Sequence, residues 1–180
     1  MPTKEEYETA IKDQDWLELT ELWGQIKARE TTWWEPGKAF EYLVLRMFDL
    51  DEAEVRWPYS VDLFGDAEIE QIDGSIRING LYCLVESKDE EGKISVASIA
   101  KLRNQLLRRP AGTIGFLFSS NAFTDPAIQL AHFALPQAVL LWSGNEVEKA
   151  LEERSICAFA EQKFRICVDQ GMPDYNIAVP

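Results

Sequence analysis

Apolar residues recur at helical spacing in the N-terminal part of the chain. Between about Lys4 and Ala28 they lie three or four positions apart, which predicts one or two amphipathic helices. A second helical region is expected to begin near Pro36-Gly37 and to continue through AFEYLVLRMFDL, because proline suits a first helical turn and the apolar residues of this run then share one face. Glu41 lies on or beside that apolar face.

An extended pattern follows these helices. The run from Val55 to Val61 is predicted to be extended, although Pro58 restricts it to an edge or bulged strand. The stretch Ile69 to Asp89, IEQIDGSIRINGLYCLVESKD, alternates between apolar and polar residues on both sides of Asn79-Gly80. Asn-Gly is typical of a type I′ hairpin turn, since both central residues need positive φ. We therefore predict two antiparallel strands joined at this turn.

Helical and buried-strand patterns alternate after the hairpin. VASIAKLRNQLLRR, TDPAIQLAHFA and GNEVEKALEER are predicted to be helices, with Thr124 or Asp125 as an N-cap, whereas TIGFLFSS and QAVLLW are short apolar strands. The later run FAEQKFRICV fits a helix or a strand. This order predicts an α/β fold with a mixed central β-sheet flanked by helices, α-β-β-β-α-β-α-β, preceded by an extra N-terminal helical segment.

The length and composition favour one soluble domain. With 180 residues, 46% of them hydrophobic, the chain can bury a single core. We expect residues 37–153 to form that core, 1–35 a helical extension and 154–180 a C-terminal extension. No apolar run approaches the roughly 20 residues of a membrane span, and the first residues lack the apolar stretch of a signal peptide, so we expect no membrane partner and a cytoplasmic location.

Charged residues are distributed unevenly along the chain. The formal net charge of -13 argues against a protein that coats nucleic acid, because such proteins are usually basic. Residues 96–110 are the exception, with four basic side chains and no acidic ones. These four are Lys101, Arg103, Arg108 and Arg109. A solvated helix face and a phosphate-binding surface are both compatible with this segment.

The hairpin turn also predicts which side chains face one another. If Ile78 faces Leu81, then Asp73 faces Glu86 and Gln71 faces Lys88. The opposite face then collects apolar side chains, as a core-facing surface should: Ile72, Ile76, Ile78, Leu81, Cys83 and Val85. Facing carboxylates repel each other, so a positive charge is expected between Asp73 and Glu86.

Two kinds of cation could meet this requirement. Lys88 can supply part of the charge, and a divalent ion could supply more, because Mg²⁺ accepts one or two carboxylates together with waters and phosphate oxygens. The carbonyl of Ser87 is expected to point towards the same centre. A lysine beside a metal-bound water suits phosphodiester hydrolysis. The alternative, a solvated charged strip on an exposed sheet face, stays open on these residues alone.

Asp73 followed across a hairpin by Glu86-Ser87-Lys88 resembles the signature of the PD-(D/E)xK phosphodiesterase superfamily, which has the restriction-endonuclease-like fold. The helix GKAFEYLVLRMFDL resembles that family's first core helix, which often carries a glutamate, here Glu41. The later run GTIGFLFSSNAFTDPAIQLAHFALPQAVLLWSGNEVEKAL resembles the Mrr-like endonucleases. Two departures are Ile72, where the signature has proline, and Glu86, where many Mrr-like members have glutamine.

The resemblance implies a Mg²⁺-dependent, or Mn²⁺-dependent, DNA endonuclease of restriction or repair type. Asp73, Glu86 and Ser87 would be metal ligands, Lys88 would orient water or stabilise charge, and Glu41 would be an accessory acid. The helix after the Glu-x-Lys strand flanks the active site in the family, so its four basic residues would contact DNA phosphates. Gln105 on the same helix could also reach the site.

The acidic charge suggests a second function. A nuclease-like fold that is catalytically weak or inactive could serve as a protein-binding or assembly subunit. Small nucleases of this kind often form homodimers, and a partner subunit could supply the DNA affinity that an acidic chain lacks.

Overall fold

The structure is a computed structural model that describes residues 2–63 and 67–179. Its helices and strands, in chain order, are α1 (Lys4–Lys12), α2 (Trp16–Ala28), α3 (Lys38–Leu50), β1 (Glu54–Arg56), β2 (Tyr59–Leu63), β3 (Ala67–Ile72), β4 (Gly74–Ile78), β5 (Leu81–Lys88), α4 (Val96–Leu106), β6 (Ile114–Ser119), α5 (Asp125–Phe133), β7 (Val139–Trp142), α6 (Gly144–Glu153) and α7 (Ile156–Gln170).

A five-stranded mixed sheet forms the centre of the fold, in the order β1-β4-β5-β6-β7. β1, β4 and β5 pair antiparallel, whereas β5, β6 and β7 pair parallel. The core elements α3, β1, β4, β5, α4, β6, α5 and β7 follow the order α-β-β-β-α-β-α-β. The predicted α/β fold class is therefore confirmed.

Helices cover both faces of this sheet. Side chains of α1, α2, α3, α6 and α7 pack against one face, around Phe48, Phe116 and Trp142. Side chains of α4 and α5 pack against the other face, around Leu102 and Leu141. The two layers leave the carboxyl end of β5 at the edge of both cores, where the polar residues of the predicted site lie.

The N-terminal helices begin at side-chain caps. Thr3 and Glu6 form a capping box for α1, and Asp15 and Glu18 form another for α2. The predicted helical region from Lys4 to Ala28 is thus two helices. The C-terminal run that fitted either a helix or a strand belongs to α7. No helix among the residues described is long and apolar enough to cross a membrane.

The hairpin around Asn79-Gly80 has the predicted register. Ile78 pairs with Leu81, and the ladder continues to Gly74 opposite Val85. Both turn residues have positive φ, 46° and 91°, as a type I′ turn requires. Asp73 and Glu86 are the next facing positions, immediately beyond the end of this ladder.

The strand before the turn is shorter than predicted, because the chain bends at Asp73. β3 ends at Ile72 and pairs with β2 in a separate two-stranded sheet, so Gln71 faces Ser60 and the predicted pairing of Gln71 with Lys88 is wrong. A Cβ at Gly74 would lie 2.5 Å from a methyl group of Leu45, so this close approach of the strand to α3 needs glycine.

The bend also changes which residues share a face. Ile72 was expected beside Ile76, but it packs in the core under α4 with Leu84, because the chain changes direction between them. α4 covers the face that carries Leu84 and Glu86, and both side chains are buried. The alternative of a solvated charged strip is therefore wrong for Glu86.

Candidate active site

Acidic side chains from three elements converge where β5 ends. Glu41 comes from the first turn of α3, Asp73 from the bend between β3 and β4, and Glu86 from the C-terminal part of β5. Glu86 is 0% exposed and Glu41 is 7% exposed. The main-chain N–H of Ser87 donates to Asp73 Oδ2 over 2.8 Å, which ties the bend to the end of β5.

Two lysine ammonium groups contact the buried Glu86. Lys88 Nζ lies 2.6 Å from Glu86 Oε1. Lys101 Nζ, from α4, lies 2.7 Å from Oε1 and 2.9 Å from Oε2. A buried carboxylate requires compensating charge, which these two ammonium groups supply to Glu86, and both also lower the pKa of Asp73.

Glu41 has a lysine of its own. Lys38 Nζ lies 2.9 and 2.7 Å from the two Glu41 carboxylate oxygens, one helical turn away. Even so, burial and then the negative charge of Asp73 raise the pKa of Glu41 to about 7, with a smaller contribution from Glu86. Glu41 is therefore close to half-protonated at neutral pH.

The same charges act on Asp73 and Lys88. Burial and then the Glu86 carboxylate raise the pKa of Asp73, against the lowering effect of the Ser87 N–H and of Lys88. Burial opposes the charge on Lys88, but Glu86 and Asp73 outweigh it and raise the pKa of Lys88, so the ammonium stays charged at neutral pH. The three acids therefore lie in one region with three lysines, and burial still makes the charged forms of Glu41 and Asp73 unfavourable.

The donor atoms at this place suit a hard cation. Carboxylate and carbonyl oxygens are the ligands that Mg²⁺ prefers, and Ser87 Oγ is buried without a hydrogen-bond partner. Within residues 2–63 and 67–179, no group of three or more His, Cys, Asp and Glu side chains is arranged to hold a metal ion. A bound ion would therefore depend on Asp73, Glu86, the Ser87 carbonyl and water, a set that Mg²⁺ accepts.

The basic residues of α4 and its C-terminal turn divide into different environments. Lys101 lies at the acids, as described above. Arg108 and Arg109 form ion pairs with Glu70 of β3, and Arg109 Nη2 lies 2.6 Å from Glu70 Oε2. Arg103 is partly buried, and its Nε has no hydrogen-bond partner. Gln105 is buried and donates to the Gln71 carbonyl over 3.3 Å.

Two of these partners were missed by the sequence reasoning. Lys38 precedes Glu41 by three residues on a helix, a spacing at which opposite charges meet, so this pair could have been predicted. Glu70 is 38 residues away from Arg108 in sequence, and only the β2–β3 pairing brings it to the end of α4. No local sequence pattern predicts the contact between Glu70 and Arg108.

The raised pKa of Glu41 predicts a pH dependence of stability in the metal-free protein. The folded-state pKa of about 7 exceeds the ordinary 4.5, so the fold favours the protonated form of Glu41. The contribution of this protonated form to the free energy of unfolding is fully present below pH 4.5 and is lost as the pH rises through 7. We expect unfolding in EDTA to become easier between these limits by up to roughly 3 kcal/mol. Glu41→Gln should flatten this dependence in urea titrations.

Glu153→Gln, which removes an exposed carboxylate from α6, is the control and should keep the wild-type pH profile. If the stability of Glu41→Gln depended on pH as that of the wild type does, titration of Glu41 would not be the cause of this pH dependence.

Comparison with known proteins shows the family to which this chain belongs. A restriction endonuclease family model matches residues 35–151, which include all three acids and Lys88. A solved structure of the MspJI restriction endonuclease in complex with a 27-mer oligonucleotide is 20% identical, with a TM-score of 0.44. That alignment covers 100% of this chain and 40% of the MspJI chain. No curated protein matches. Because the family model matches well over half of the chain, this protein belongs to the restriction endonuclease family.

Proposed function

We propose that the chain is a Mg²⁺-dependent, or Mn²⁺-dependent, endonuclease that hydrolyses phosphodiester bonds in DNA, in restriction or repair. The observation that best supports this proposal is the convergence of three buried or partly buried carboxylates, Glu41, Asp73 and Glu86, beside the charged Lys88. Membership of a nuclease family supports the same chemistry.

In this proposal Asp73, Glu86 and the Ser87 carbonyl would hold the divalent ion. When bound, the ion supplies a water of lowered pKa and offsets negative charge on the phosphate. Lys88, whose partly exposed side chain places its ammonium group beside Glu86, orients the attacking water or stabilises the charge that develops on the phosphate. Glu41, with a pKa of about 7, can exchange a proton with a nearby water at its carboxylate.

Lys101 has a related role in the proposal. Its ammonium group contacts both Glu86 oxygens, and its side chain is 47% exposed. With Glu86 committed to a divalent ion, the ammonium group of Lys101 would be free to contact a DNA phosphate, as the other basic residues of this segment would.

Cleavage of supercoiled plasmid, linear duplex and single-stranded DNA tests the proposal. The wild type should cut at least one of them with Mg²⁺ and none with EDTA. Lys88→Ala should reduce the single-turnover rate by at least about a hundredfold, because the water or the phosphate loses its positioned cation. Lys149→Ala, which removes a lysine paired with Glu153 on α6, should cut like wild type.

Unchanged cleavage by Lys88→Ala would contradict the proposed role of this lysine. Absence of cleavage by the wild type on every substrate would contradict the proposed activity.

One observation favours a second candidate, a binding or assembly module of weak or no activity. The chain carries a net charge of -13, and Lys101, Arg108 and Arg109 of its basic segment already have acidic partners within the fold. A module of this kind would present an acidic surface to a protein partner. In a combined arrangement, a homodimer or a partner subunit would supply DNA affinity.

A further inference from the structure

A groove of about 800 Å³ lies on the sheet face that carries Glu86, and the proposed chemistry does not use it. Its floor consists of two rows of facing residues from β1, β4 and β5. The rows are Glu54, Arg77 and Tyr82, and then Arg56, Ser75 and Leu84. Tyr59 and the segment from Arg109 to Thr113 also line it.

The groove lies on the same strands as the acids, but Leu84, between Tyr82 and Glu86 on β5, is buried beneath α4. Asp73 and Glu86 occupy the facing positions that follow the row of Ser75 and Leu84, so all three rows lie on one face of the sheet. Tyr82 precedes Glu86 by four residues on β5, which is about 13 Å at the usual rise of a strand. A DNA strand that contacts both the acids and the groove would have to pass around α4.

The groove is positively charged in an acidic protein. Three arginines, Arg56, Arg77 and Arg109, line it together with one acid, Glu54. Arg109 is paired with Glu70 and Arg77 with Glu54, which leaves the charge of Arg56. Arg56 has no ion-pair partner among the residues that the structure describes, and its guanidinium stacks 3.6 Å from the ring centre of Tyr59. Guanidinium groups bind phosphate oxygens in a bidentate manner, so these side chains suit a nucleic acid backbone.

An exposed aromatic ring completes the set. Tyr82 is 58% exposed, and the guanidinium of Arg77 lies 5.9 Å from its ring centre. An exposed aromatic ring beside arginines is the arrangement on which single-stranded nucleic acids stack their bases. The volume is also within the range of pockets that enclose small organic ligands, which suits a nucleotide.

We propose that this groove binds an unpaired nucleotide of a DNA strand, with the base stacked on Tyr82 and the phosphates contacted by Arg56 and Arg77. The inference rests on the proposed DNA substrate and assigns a second contact region to it. Arg77 is paired with Glu54, but both side chains are largely exposed, so this ion pair is weak and nucleotide binding can displace it.

Fluorescence anisotropy with a labelled oligothymidylate of about twelve nucleotides, in EDTA to prevent cleavage, tests the inference. Tyr82→Ala should weaken binding at least about fivefold, because stacking contributes on the order of 1 to 3 kcal/mol per base. Tyr82→Phe keeps the ring and should bind like wild type. Glu54→Gln should tighten binding, which no folding defect would explain. Phe133→Ala removes an exposed aromatic ring from α5 and serves as the control.

Binding by Tyr82→Ala within about twofold of wild type would overturn the inference, as would the absence of wild-type binding at up to about 100 μM protein. The outcomes separate it from the proposed activity. If DNA is cleaved but Tyr82→Ala binds normally, only the groove assignment fails. If Tyr82→Ala loses binding but the wild type never cleaves DNA, the groove assignment stands and the nuclease proposal fails.

Discussion

Replacing Asp73 with asparagine should abolish DNA cleavage and, at the same time, stabilise the metal-free protein. Cleavage should fall at least about a thousandfold, because a bound ion contributes several kcal/mol of transition-state stabilisation. Stability should rise, since the raised pKa of Asp73 means that its charge is unfavourable in the fold at neutral pH. Asparagine can still accept the Ser87 N–H.

Opposite effects on activity and stability distinguish a functional acid from a structural one. Thermal unfolding in EDTA and plasmid cleavage in Mg²⁺ measure the two effects on the same preparations. Asp169→Asn, which removes an exposed acid from α7, is the matched control and should leave both quantities unchanged. The account would be contradicted if the Asp73→Asn variant were less stable than wild type or cleaved DNA at the wild-type rate.

The second large effect should come from Lys163 of α7. Its side chain is 1% exposed, and its ammonium group lies 2.6 Å from the buried Glu146 of α6 and also donates to the Tyr175 carbonyl. Burial lowers the pKa of Lys163 despite the attraction of Glu146, so the pair as a whole contributes little net stability. Removing the lysine alone nevertheless leaves a carboxylate buried without a counter-ion.

We therefore expect Lys163→Met to destabilise the protein by roughly 3 to 5 kcal/mol. For a chain of this length that corresponds to a decrease in Tm of about 6 to 20 °C, measured by calorimetry or circular dichroism. Lys149→Met, which breaks an exposed ion pair with Glu153, should change stability by less than about 1 kcal/mol. Equal effects of the two substitutions would show that Lys163 has no special role in anchoring the C-terminal segment.

The parts of the site that could be predicted from sequence depend on short-range rules. The turn at Asn79-Gly80 needs only two backbone conformations, and it determines that Asp73 and Glu86 are facing positions. The order of helices and strands follows from periodicity and from the short apolar runs of β6 and β7, which are buried at every position.

The missed features depend on contacts between distant segments. The bend at Asp73 separates β3 from β4 where Gly74 approaches α3, and nothing in an alternating pattern signals where a strand leaves its sheet. The contact of Lys101 with Glu86 requires α4 to cover β5, and that of Arg108 with Glu70 requires the β2–β3 pair. The ion-pair partners of charged residues on a helix depend on how the elements pack, and the sequence of the helix alone does not predict them.

The central claim is that Asp73 and Glu86 form a binding site for a divalent ion. Isothermal titration calorimetry with Mg²⁺ and with Mn²⁺ tests it most directly, on wild type, Asp73→Asn and the control Asp169→Asn. We predict saturable binding by wild type and Asp169→Asn and its loss in Asp73→Asn. Absence of binding in the wild type, or equal binding by Asp73→Asn, would contradict the claim and favour the protein-binding module.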